Sequence, residues 1–170
     1  DLTSIAETQA DQIDVWLEST RRSVRGSSAQ PVLSDGDTGR INQHLSSLVE
    51  EDRVSASTVA VHYMNTTSGV VEASSSERFV GVRPAEIGAS FAGELSFDSP
   101  TDTHVSKPFS VPIADHPIIA VISPVEGDDD HALIYMTNLR ERAQTVSDRR
   151  GDSFTTVLTA EGQVIAHPNQ

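Results

Sequence analysis

A chain of 170 residues, 36% of them hydrophobic, holds enough apolar material for one α/β core, or for one domain and a fragment of another. Its 25 acidic residues against 12 basic ones give a formal charge of −13, a field that repels nucleic acid and anionic lipid. The absence of cysteine excludes disulfides, thiolate metal sites and cysteine nucleophiles. Eleven of the basic residues are Arg, and Lys107 is the single Lys. This acidic, Lys-poor surface chemistry suits concentrated salt, where a Debye length of ~3 Å makes carboxylate repulsion cheap. No apolar run approaches the ~18 residues of a membrane span, and the chain opens on a polar, amphipathic stretch. A soluble segment lying between two membrane spans is expected to read this way, and so is a cytosolic protein.

Leu2, Ile5, Ile13, Leu17, Thr20 and Val24 follow a 3.6-residue period, widened by Trp16, and predict a long helix over about residues 2–26. At about 1.5 Å per residue it spans nearly ~40 Å, more than a small core requires. That length suits an element rising from a membrane or pairing with its own copy. Gly26, Ser27, Ser28 and Pro31 end it. A second helix runs from Thr38 to Asp52, with Ile41, Leu45, Leu48 and Val49 on one face and Asp37 or Thr38 placed to cap it.

The period then changes. Thr58–Met64 is β-branched and aromatic, Asn65–Gly69 supplies turn residues, and Val70–Ser74 returns, so a hairpin is expected. Asn65-Thr66-Thr67 is a glycosylation sequon on that turn, in keeping with an exported chain. Residues 76–110 mix Gly and Pro with Phe79, Phe91, Phe97 and Phe109, the pattern of a lid or binding segment. Ser110–Ile113, Ile118–Val125 and Ala132–Thr137 read as three further strands, and Asn138–Val146 as a short helix. After Gly151 a new hairpin, Phe154–Leu158 with Gln163–Ala166, is expected to open a second unit.

Chemical motifs are few. The six histidines (44, 62, 104, 116, 131 and 167) lack the i, i+4 pairing of a helical metal site. Asp128-Asp129-Asp130-His131 lacks calcium-loop spacing and reads as a solvated turn. No Gly-x-Ser-x-Gly elbow and no phosphate-cradling loop is present. Neither a catalytic residue, a metal site nor a cofactor is expected.

The string FTTVLTAEGQVIAHPNQ resembles the Cache-domain hairpin, in which a strand meets an acidic-Gly turn and then a strand closing on His-Pro-Asn. VSKPFSVP, HPIIAVISPV and HALIYMTNLRERAQTV resemble the closing half of a Cache (extracellular PAS-like) fold. The resemblance implies an α+β chain in three parts: a stalk-like helix over 1–30, a membrane-distal sensor module with a five-stranded antiparallel sheet over 31–148, and the incomplete opening of a second module over 149–170. It also implies a sensor of a chemotaxis transducer or histidine kinase on the outer face of the membrane. A small molecule would bind between the sheet and the irregular segment, and a homodimer would form through the long helix.

Arg83, Ser106, Phe109 and Asn138 are then expected to line one cavity, with Tyr63 as a wall residue. Amino-acid-binding members carry Arg-x-Trp-Tyr after the first hairpin and Asp at the end of the last distal strand. Here GVRPAEIG keeps Arg83 without Trp or Tyr, and Asn138 stands at the Asp position. An amide cannot supply the carboxylate that pairs a ligand ammonium, whereas Arg83 retains a fork able to grip a carboxylate. The alternatives are a non-signalling extracellular binding or adhesion domain and, with less support, a hydrolase.

Overall fold

The computed structural model describes residues 2–52, 58–87, 102–112, 114–138, 157–158 and 164–166. Three helices come first: α1 (Leu2–Ser28), α2 (Pro31–Ser34) and α3 (Thr38–Asp52). The Ser28 hydroxyl donates to the Arg25 carbonyl at 2.8 Å, and the Gln30 N–H to Ser27 O at 3.1 Å, which closes α1. Pro31 does more than end it. It starts α2 within the first turn, where a missing N–H is harmless. Asp37 Oδ1 accepts the N–H groups of Gly39 and Arg40 at 2.9 and 3.2 Å and so caps α3.

Strands β1 (Thr58–Asn65), β2 (Val71–Ser74), β3 (His104–Val105), β4 (Ile118–Pro124) and β5 (His131–Asn138) form one antiparallel sheet in the order β2-β1-β5-β4-β3. The three expected central strands are central. Short 3-10 turns at Glu77–Phe79 and Pro84–Ile87 begin the irregular segment. The expected strand at Ser110–Ile113 is absent over its described residues. Phe109 bridges Ile118 there, and the edge strand lies earlier, at β3. Asn138 closes β5 instead of opening a helix, and 139–146 fall outside the described residues. Strands β6 (Val157–Leu158) and β7 (Val164–Ala166) pair with each other as a separate two-stranded sheet.

The period-2 alternation of strands sorts the core into two layers. Ala60, Met64, Ala120, Ile134 and Met136 pack with Phe79, Phe109 and Val111 from the irregular segment. Val61, Tyr63, Val121, Leu133 and Tyr135 face the helices and meet Val24, Leu33, Ile41 and Leu45. Trp16 of α1 rests on Ile119, so the latter half of the long helix belongs to the sheet's own packing.

Candidate ligand-binding site

The face of the sheet beneath the irregular segment carries buried polar groups, His62 and Ser74, in an apolar layer. His62 lies between Ala60 and Met64 on β1, with its ring 4.7 Å from that of Phe79. Its Nδ1 meets Ser74 Oγ at 2.8 Å, and its Nε2 meets Met136 Sδ at 2.7 Å. Burial holds its pKa down to about 4, so the ring is neutral near pH 7. Ser74 extends the connection: its Oγ accepts the Ser76 N–H at 3.0 Å, and its own N–H donates to Asn42 Oδ1 at 2.8 Å. A side chain of α3 is thereby tied through β2 to the opposite face of the sheet.

Three of the expected site residues gather at one corner. Ser106 lies alongside Ala120, its N–H donating to Ala120 O at 2.9 Å and its Oγ accepting the Ala120 N–H at 2.8 Å. Phe109 and Ile118 exchange both backbone hydrogen bonds at 2.9 Å, and Ile118 pairs with Asn138 in the β4–β5 register. Phe109 is buried, whereas Asn138 is half-buried. The Ser106 hydroxyl also donates to Lys107 O at 2.8 Å, so its proton is engaged in holding the segment to β4.

The other two expected residues do not join them. Arg83 is exposed and bonds to Ser68 O and Glu86 Oε1, both at 3.4 Å. Ser68 belongs to the β1–β2 turn, at the end of the sheet where Asn65 pairs with His131. Asn138 lies at the far end of β5, about 23 Å away at ~3.3 Å per residue. The turn opened by Pro84 sends Arg83 outward, and a single cavity holding both groups is not formed by the described residues.

Tyr63 is buried on the helix face, so it cannot be a wall of a cavity under the irregular segment. The residues that alternation delivers to that face are His62 and Met64. Tyr63 instead stacks on His131 at 4.4 Å and donates to Asp128 Oδ2 at 3.2 Å. His131 sits between Asp128 Oδ2 at 2.7 Å and Glu72 Oε2 at 3.0 Å. Burial pushes the Asp128 carboxyl up, but hydrogen bonds from His131 and the Asp130 N–H outweigh it and hold it below its ordinary value. Burial and the neighbouring Asp128 push the Tyr63 hydroxyl the other way, upward. The expected solvated turn is therefore solvated at Asp129 and Asp130, while Asp128 turns inward. No cluster of three His, Cys, Asp or Glu suited to a metal ion is present among the described residues.

A cleft of about 540 Å³ opens on the helix face between the end of α1 and α3, with Tyr135 on its wall. The sequence carried no motif for it. Its signal was only the matched polar stripes of the two helices.

No family model matches the chain. It is 25% identical over 168 residues to transducer protein Htr6 of Halobacterium salinarum, across 96% of this chain and 21% of that protein. The chain thus spans about a fifth of the length of this curated relative. The ligand-binding domain of Pseudomonas fluorescens chemoreceptor CtaA, solved with L-serine, superposes with a TM-score of 0.68 at 16% identity, over 99% of this chain and 71% of that one. The ligand-binding domain of the Pseudomonas aeruginosa amino-acid chemoreceptor PctC with GABA gives 0.64 at 20% identity, over 99% and 74%. That of PctB with L-Arg gives 0.66 at 12%, over 98% and 64%. The chain has the α+β Cache-type fold of chemoreceptor ligand-binding domains.

Proposed function

We propose that the chain is the extracellular ligand-sensing domain of a membrane-anchored chemotaxis transducer. The observation that carries the reading is the pairing of a long helix with a five-stranded sheet of order β2-β1-β5-β4-β3, superposable over 99% of the chain on a chemoreceptor sensor. The transducer relative supports the same reading across 96% of the chain. The domain acts by binding rather than by catalysis. Among the described residues no helix is long and apolar enough to cross a membrane, so anchoring belongs to other segments of the receptor.

The ligand is a small molecule. It lies on the face shared by His62, Phe109 and Asn138, where apolar walls enclose a few polar groups. Arg83 stands at the other end of the sheet and is left out of this site. A ligand biases the receptor only through different affinities for two arrangements. Here Phe79, Phe109 and Val111 on one side and α1 on the other pack against opposite faces of one sheet. Two copies associate through the outer side of α1, where Val15 is 71% exposed. Residues 149–170 open a second module, a reading supported by β6 and β7 pairing with each other and, among the described residues, with no strand of the five-stranded sheet.

The test is an exchange. This chain replaces the matching segment of the halobacterial transducer, and receptor methylation is followed while amino acids and small carboxylates are added. Ligand-dependent methylation is expected. A chimera that is made and inserted in the membrane, with methylation unmoved by every compound, contradicts the reading.

A further inference from the structure

The cleft on the helix face is bounded by two stripes of matched spacing. Ser23, Gly26 and Ser27 stand at i, i+3 and i+4 along the end of α1, and Gln30 follows just beyond it. His44, Ser47, Leu48 and Glu51 repeat that spacing on α3. Small residues at such spacing usually let helices close on each other, but here they do not. A Cβ built on Gly26 meets no atom within 4 Å, and about 540 Å³ remains open, within the range of small-molecule sites.

No Arg or Lys is among the described residues that line this space. Both helices border the cleft with their C-terminal halves, the end at which the helix dipole carries negative partial charge. Glu51 adds a carboxylate, and the last turn of α3 holds no basic residue. Arg25, the basic residue in the last turn of α1, is not among the residues lining the cleft. Leu48 and the ring of Tyr135 provide an apolar side, and the Ser27 hydroxyl, which accepts the Tyr135 proton at 3.0 Å, lies at the junction. The buried Nε2 of His44 has no hydrogen-bond partner among the described residues.

We propose that this cleft is a second binding site, separate from the face beneath the irregular segment, and that it takes a small primary ammonium ion. The ammonium head donates to the serine hydroxyls and to the helix-end carbonyls beside Glu51, while its carbon chain lies along Leu48 and Tyr135. Because α1 forms one wall, occupancy braces the long helix against the sheet independently of the other site.

Titration of the isotope-labelled chain with putrescine, at constant ionic strength, tests the proposal. Saturable shifts are expected at Gly26, Ser27, Ser47 and Leu48. Glu51→Gln is expected to weaken binding about five- to tenfold. Gly26→Leu places a bulky side chain at a position where a Cβ has open space, and is expected to weaken binding at least tenfold. Tetramethylammonium, which has no N–H to donate, is expected to bind at least tenfold more weakly. Equal responses to putrescine, tetramethylammonium and potassium ions overturn the proposal, as charge screening alone would then be at work. Undiminished binding by a folded Gly26→Leu chain overturns it as well.

Discussion

Tyr135, in the middle of the sheet, donates its hydroxyl proton to Ser27 Oγ at 3.0 Å and so ties β5 to the end of α1 across 108 positions of sequence. One residue on, Ser28 and Ser123 hydroxyls meet at 3.2 Å, and the Glu126 N–H donates to Ser28 O at 3.0 Å. Strands β4 and β5 thus hold the end of α1 by a few polar contacts and by the packing of Val24 and Trp16. In Tyr135→Phe the loss is one part-buried hydrogen bond, about 1 kcal/mol. Amide exchange is expected to accelerate around residues 20–28 and to stay unchanged in β4. Equal acceleration in both contradicts a specific helix tether.

Acid stability follows from His62. Its pKa in the fold is about 4, against 6.5 for the free side chain. The unfolded chain therefore takes up this proton first as the pH falls. Stability from a neutral His62 is complete above pH 6.5, declines between 6.5 and 4, and amounts in all to about 3 kcal/mol. Asp128, held below its ordinary value, adds a further loss at lower pH as its carboxylate is protonated. In His62→Leu the decline across the window from 6.5 to 4 is expected to flatten, as read from urea midpoints. Parallel profiles for the two chains contradict the assignment.

The charge of −13 makes stability depend on salt. Screening relieves repulsion among the carboxylates, and each kcal/mol recovered is worth about 2–4 °C in a domain of this size. The melting temperature is expected to rise by several degrees between low and molar KCl, and a flat or falling curve contradicts the expectation.

The hairpin β6–β7 pairs with no strand of the five-stranded sheet among the described residues. A lone two-stranded hairpin is marginal in water. Amides at 157–158 and 164–166 are therefore expected to exchange well before those of β4 and β5. Equal protection would make the hairpin part of the main cooperative unit.

The central sheet was legible because its signal is local. Ile118–Val125 is apolar except for Ser123 and buried throughout, as a strand covered on both faces requires. The edge was not. Val111 looked like part of a strand because it is apolar, yet it is buried from a loop. Val105 and Ser106 make the edge bonds, and those depend on which backbone groups β4 leaves free.

Neither were the faces of β1. Both of its sets are largely apolar, so the pattern did not reveal that Tyr63 meets the helices while His62 meets the irregular segment. Of the site, Ser106, Phe109 and Asn138 come together because strand register carries them there. Arg83 rested on a motif whose aromatic half this chain lacks, and its position is decided by the turn at Pro84. The cleft between α1 and α3 had no motif at all, since it depends on how far apart two helices settle.

We propose that a small molecule is sensed on the face of the sheet opposite the helices. The most direct test is amide chemical-shift mapping of the labelled chain, titrated with L-amino acids, GABA and small dicarboxylates. The account predicts saturable shifts at His62, Phe109, Ile118 and Asn138 for at least one compound, diminished in Asn138→Ala. Saturable shifts confined to α1 and α3, or none with any compound in the panel, would contradict it.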